Sequence, residues 1–89
     1  MKLWAREMKD GHVIRDAVAE DVTDDTRTHK VLRCLQEVCH ELDLAVPIWL
    51  SQNEKDFRQR GRCRFTQDSF VEEIPFDFLD FRVLKEDEP

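Results

Sequence analysis

Eighty-nine residues with a formal net charge of −6 suffice for one domain with a single modest core. Hydrophobic residues at 40% and six phenylalanines exclude a disordered chain, while charged residues at 38% give a densely charged exterior. An acidic balance argues against a general polyanion binder, and two glycines in the whole chain exclude the glycine-rich loops that cradle phosphates.

Residues 2–8 and 13–20 flank Lys9-Asp10-Gly11-His12. Asp-Gly is a strong hairpin signal because both central residues of the tight turn take positive φ. A two-residue turn places Arg6 opposite Arg15, a like-charge clash. Shifted by one, the register pairs Arg6 with Asp16, Lys2 with Glu20, Glu7 with Arg15 and Met8 with Ile14, and this register needs a longer loop.

The clearest element follows. Asp24 or Asp25 can accept the free amides of a helix start, and Val31, Leu32, Leu35, Val38, Cys39 and Leu42 then recur at helical spacing. They fall within about 120° of arc, which predicts an amphipathic helix over residues 26–43 with one apolar stripe. Residues 45–50, AVPIWL, read as an extended edge strand, since Pro47 cannot donate to a ladder. Ser51 and Glu54 have capping-box spacing and open a short helix that Gly61 ends. Residues 70–76 form an apolar connector. In residues 78–84, Leu79, Phe81 and Val83 alternate with Asp80 and Arg82, the pattern of a strand buried on one side. The domain is expected to span residues 1–84, with 85–89 a frayed acidic tail.

Hairpin, long helix, edge strand, short helix, final strand: this order resembles the β-grasp arrangement of ubiquitin-like domains. The resemblance implies a last strand lying parallel beside the first and a long helix crossing one sheet face. The chain ends in Glu88-Pro89 rather than Gly-Gly, so conjugation to other proteins is not implied. An ordinary antiparallel α+β sandwich uses the same elements. The expected fold class is α+β, a small mixed or antiparallel sheet packed on one long helix in ββα(β)αβ order.

Candidate chemistry is sparse. Cys34 and Cys39 lie about 140° apart around the helix, and His29 and His40 are about 16 Å apart along it, so no metal site is expected. Cys63 sits among Arg60, Arg62 and Arg64, which favour a thiolate if the thiol is accessible, so thiol chemistry there is one alternative. No base or oxyanion hole is identifiable beside it, and neither an enzyme nor a cofactor is expected. Charges near the N-terminus leave no apolar run for a signal peptide, no stretch is long enough to span a membrane, and three cysteines cannot all pair. These features predict a reduced, cytoplasmic protein.

Two surfaces remain for binding. Residues 51–65 carry five basic against two acidic side chains, a cationic island between acidic flanks that holds Arg58, Arg60, Arg62 and Arg64. Helix-end stabilisation and pairing with acidic neighbours account for it structurally, and phosphate or RNA binding is the functional alternative. The second surface is the sheet face that one helix leaves uncovered. If Leu3, Ala5, Ala17 and Ala19 turn to the helix, the other face presents Trp4, Arg6, Met8, Ile14, Val18 and Arg82, types common in binding hot spots. The opposite orientation, with Trp4 in the core and Ala5 outward, fits the pattern equally. The function expected first is a non-enzymatic interaction domain that docks a protein partner, or its own copy, through this face.

Overall fold

Asp10 and Gly11 take φ of 51° and 78°, so Asp-Gly makes the two-residue hairpin turn with both central residues left-handed. In the computed structural model, which describes residues 1–87, this turn joins β1 (Lys2–Lys9) to β2 (His12–Glu20). The expected pairs of Arg6 with Asp16, Lys2 with Glu20 and Glu7 with Arg15 all form. Met8, however, pairs with Val13 rather than Ile14, because a bulge falls at Glu7/Met8 and leaves Ile14 unpaired on β2. The bulge absorbs the residue that a longer loop would otherwise need, so the tight turn and the charge-matched register coexist.

Helix α1 (Arg27–Glu41) buries Val31, Cys34, Leu35, Val38 and Cys39. Its N-cap is Thr26, whose hydroxyl accepts the His29 amide, rather than Asp24 or Asp25. Asp25 instead accepts the Thr26 amide at 2.7 Å, the His29 ring at 2.9 Å and Arg33 Nη1 at 2.8 Å. Arg33 Nε also donates to Asp21 at 2.8 Å, so one guanidinium laces the β2–α1 connection to the helix. The helix ends in a Schellman motif: Asp43 adopts φ 55°, its amide donates to the His40 carbonyl, and the Leu44 amide donates to the Cys39 carbonyl at 2.8 Å.

Hydrogen bonds from Arg33, first among several, hold the Asp21 and Asp25 carboxyls well below their ordinary value of 3.8. The folded chain therefore binds fewer protons than the unfolded chain near that value. The stability these groups contribute is present on the neutral side and is lost as pH falls through the folded values. The thermal midpoint is expected to be level from neutrality to about pH 5 and to fall below it, with Arg33→Ala flattening that acid limb. Calorimetry across pH checks this.

Residues 45–50 form no strand, a correction to the predicted edge strand. Pro47 lacks a donor, and the Ile48 amide bonds the Ser69 carbonyl at 2.7 Å instead of joining a ladder. Helix α2 (Ser51–Arg60) begins at the predicted cap residue itself, so its N-cap is Leu50, and the Asn53 side chain, not Glu54, accepts the Leu50 amide at 3.0 Å. Asn53 also donates to the Arg64 carbonyl at 2.8 Å and so ties this helix to the next strand. Gly61, at φ 67°, terminates α2 as expected.

After it come β3 (Arg62–Thr66), absent from the predicted elements, a 3-10 turn at Gln67–Ser69, and β4 (Phe78–Lys85). The sheet order is β2-β1-β4-β3 with every pair antiparallel, and the element order is ββααββ. The first and last strands are thus neighbours but antiparallel, which overturns the β-grasp expectation. Leu3, Ala5, Ala17, Ala19, Cys63, Phe65, Leu79 and Phe81 form the inner face and share one core with α1 and with Phe57 of α2. Trp49 meets Phe65 edge to face at 4.9 Å, and Phe57 stacks on Phe81 at 5.5 Å.

At the turn end of the inner face Glu7 is 1% exposed, and Arg15 grips both its carboxylate oxygens at 2.9 Å while donating to the Leu42 carbonyl. One arginine so neutralises a buried acid and fastens the hairpin to the end of α1. The described part of the acidic tail is also tied: Glu86 pairs with Arg27 at 2.9 Å, and Asp87 pairs with Lys30 at 2.7 Å. The remainder of the predicted frayed segment, Glu88 and Pro89, lies outside the described residues. No described helix is long and apolar enough to cross a membrane.

Candidate ligand-binding face

Strand alternation decides the orientation that the sequence left open. Leu3 and Ala5 are fully buried against the helices, and Trp4, Arg6 and Met8 are half-buried on the opposite, uncovered face. Arg6 lies between Asp16 of β2 and Asp80 of β4, and Trp4 between Val18 and Arg82. On the far side Arg64 faces Asp80, and Arg62 faces Arg82. Four of the six residues predicted for the docking face, Trp4, Arg6, Val18 and Arg82, therefore form one contiguous patch. Met8 continues it toward Phe78, and Ile14 is exposed at the bulge.

Asp80 is the hub of this face. It is 3% exposed, and its Oδ2 accepts Arg6 Nε and Arg82 Nε at 3.0 Å each, with Arg82 Nη2 at 2.8 Å. Arg6 thereby lies over the Trp4 ring, 4.5 Å from its centroid, and Trp4 Nε1 donates to Asp16 at 2.8 Å. Arg64 lies 4.6 Å over the Phe78 ring. The guanidiniums of Arg6, Arg64 and Arg82 are each held against an aromatic ring or a carboxylate, which fixes their direction before any ligand arrives.

The basic island splits. Arg60, Arg62 and Arg64 line a cleft of ≈380 Å³ together with Arg82, Asp56, Asp80 and the buried Cys63, whereas Arg58 lines a separate cleft between the helices. Among the described residues, Arg60, Arg62 and Arg64 have no carboxylate within ion-pair distance. Phe78 and Asp80 were missing from the residues predicted for the face. The signal for both was the two-residue period of β4, which puts them on the side that carries Arg82.

Cys63 belongs to the inner side. It is 3% exposed, and burial, with help from Asp56 and Asp80, pushes its thiol up to about 12. The accessibility on which thiol chemistry depended is absent, because the strand turns Cys63 inward and its flanking arginines outward. Burial likewise raises Cys34 to about 11 and Cys39 to about 12. All three thiols are expected to resist an aromatic disulfide reagent at mildly alkaline pH in the folded protein and to react together in denaturant. A fast-reacting thiol in the native state contradicts this.

Among the described residues no cluster of three or more His, Cys, Asp or Glu side chains is arranged to hold a metal. Comparison with family models, with curated proteins and with solved structures returns no match, so the geometry of this face and its clefts carries the functional reading by itself.

Proposed function

We propose that the protein is a non-enzymatic binding domain whose open sheet face takes single-stranded nucleic acid. The observation that carries this reading is the convergence of Arg6, Arg62, Arg64 and Arg82 with Trp4 and Phe78 on one face of the sheet, with Arg60 of α2 beside its β3 edge, in a chain whose net charge is −6. Phosphates supply the charge that these guanidiniums seek, and unpaired bases stack on aromatic rings or on guanidinium planes already laid over them. A flat sheet face suits a splayed single strand, since it offers no protruding element to enter a duplex groove. We therefore rank nucleic acid ahead of the protein partner that the residues of this face suggested first, because net charge hides how the arginines are grouped.

Fluorescence anisotropy of a labelled single-stranded oligonucleotide at low salt tests the reading. Binding should weaken as salt rises, and Arg62→Ala with Arg64→Ala should shrink the log–log salt slope by about 1.4, two phosphates at roughly 0.7 each. No anisotropy change at low salt removes the proposal. A second reading, docking of a second copy of the chain, is supported by β2, whose outer edge is unpaired and whose Val13, Ile14 and Val18 are exposed. Light scattering on the wild type and on Ile14→Lys separates the two, and a monomer at high concentration excludes the second.

A further inference from the structure

Strand pairing sets Arg62 of β3 directly opposite Arg82 of β4, and like charges so placed cost stability. Both line the ≈380 Å³ cleft, with Arg60 from the last turn of α2 and Arg64 two residues along β3. Its two carboxylates do not balance the four guanidiniums. Asp80 is committed to Arg6 and Arg82, which leaves Asp56 to face Arg60, Arg62 and Arg64. Asp56 accepts the Gln52 side-chain amide at 2.7 Å, and among the described residues it lies beyond ion-pair distance of all three arginines. Three guanidiniums against one carboxylate leave the cleft a surplus of at least two positive charges. The cleft also lies where the open face stops, since β3 is an edge strand and Asn53 of α2 takes its Arg64 carbonyl at 2.8 Å.

We infer that this cleft holds the terminal phosphate monoester of a bound single strand, on Arg60, Arg62 and Arg64. The inference rests on the nucleic-acid reading and deepens it, naming the strand's end as the feature recognised. A phosphate monoester carries about −1.5 to −2 charges at neutral pH and three acceptor oxygens, which answers a surplus of two guanidiniums. A phosphodiester within the strand carries a single charge and leaves part of that surplus unmet. The volume lies at the small end of the range for ligand pockets, so it suits one end group rather than a length of strand. Guanidinium forks take phosphate oxygens in pairs, and a dianion set between Arg62 and Arg82 relieves the like-charge pairing that the sheet otherwise carries.

Three oligonucleotides of one single-stranded sequence test it by anisotropy at low salt. One bears a 5′-phosphate, one a 3′-phosphate and one neither, each with its dye on an internal base. One phosphorylated strand should bind about tenfold tighter than the unphosphorylated strand. Arg60→Gln with Arg62→Gln, both at exposed positions, should bring that ratio to about one. A ratio that survives in the variant places the end phosphate elsewhere and overturns the inference. Equal binding of all three strands by the wild type also overturns it and leaves the sheet-face reading standing, whereas binding of none removes both. A nucleoside monophosphate that binds as tightly as the phosphorylated strand overturns it too, because the phosphate then acts without the strand.

Discussion

Phe81→Ala is expected to leave the protein unfolded or barely folded at ordinary temperature. Phe81 is fully buried in β4, stacks on Phe57 at 5.5 Å, and has Phe65 and Trp49 within 6.2 and 6.4 Å. Removing a buried phenylalanine side chain lowers stability by about 3–5 kcal/mol, through lost transfer energy and the cavity left behind. Small domains hold only about 5–15 kcal/mol in total, so one such loss consumes much of the margin. Each kcal/mol is roughly 4–8 °C in the midpoint of a domain this size, so a fall of tens of degrees should appear by circular dichroism. Val22→Ala, at an exposed position, is the matching control and should stay within about 0.5 kcal/mol of wild type. A drop of only a few degrees for Phe81→Ala means that the aromatic cluster is not the centre of the core.

Asp80→Asn is expected to move stability and binding in opposite directions. The carboxylate sits between two half-buried guanidiniums, and the amide keeps one acceptor oxygen but no charge. Hydrogen bonds to charged groups contribute about 1.5–3 kcal/mol, so a loss of roughly that size is expected. The same change removes the negative charge closest to the proposed phosphate contacts. Two unit charges about 4 Å apart in water interact by about 1 kcal/mol, which is about fivefold tighter oligonucleotide binding at low salt, fading as salt screens it. Denaturant melts and anisotropy on one preparation read both. Weaker binding by the variant counts against the sheet face as the anion site, because loss of an acid cannot repel phosphate.

The parts of the fold legible in the sequence are those written in a period. The stripe from Val31 to Leu42 placed α1, and the alternation at Leu79, Phe81 and Val83 placed β4, because a repeated apolar residue records burial on one side. The hairpin register followed from charge, but not its bulge, since nothing local marks Ile14 as the extra residue. The end of α1 was placed at Asp43, one residue past the observed cap at Leu42, but its motif was not legible, because Asp43 does there what a glycine usually does. β3 was hidden by composition, as RCRFT reads as a charge island unless Cys63 and Phe65 are taken as its inward side. The segment 45–50 erred the other way. Apolar residues and Trp49 suggested a strand, yet Trp49 packs on the core while Val46, Ile48 and Leu50 stay exposed and the segment joins no ladder. The face itself was half legible. Trp4, Arg6 and Arg82 could be placed by alternation, whereas the convergence of Arg62 and Arg64 with them depends on the neighbour β4 takes, a long-range fact that no local pattern contains.

The sheet order has a consequence for how the chain acquires its shape. Its middle seam joins the first strand to the last, so the pairing that makes the layer continuous spans nearly the whole sequence. The amino-terminal hairpin can close alone on a microsecond scale of about 1–10 µs, but a lone hairpin is marginal in water. Until Phe78–Lys85 has been synthesised, Leu3 and Ala5 lack their β4 neighbours Val83 and Phe81, and the arginines of β3 have no strand to carry them beside Arg6. The slow event in maturation is therefore expected to be the arrival of the carboxyl-terminal strand, and the proposed binding face comes into being at that same moment.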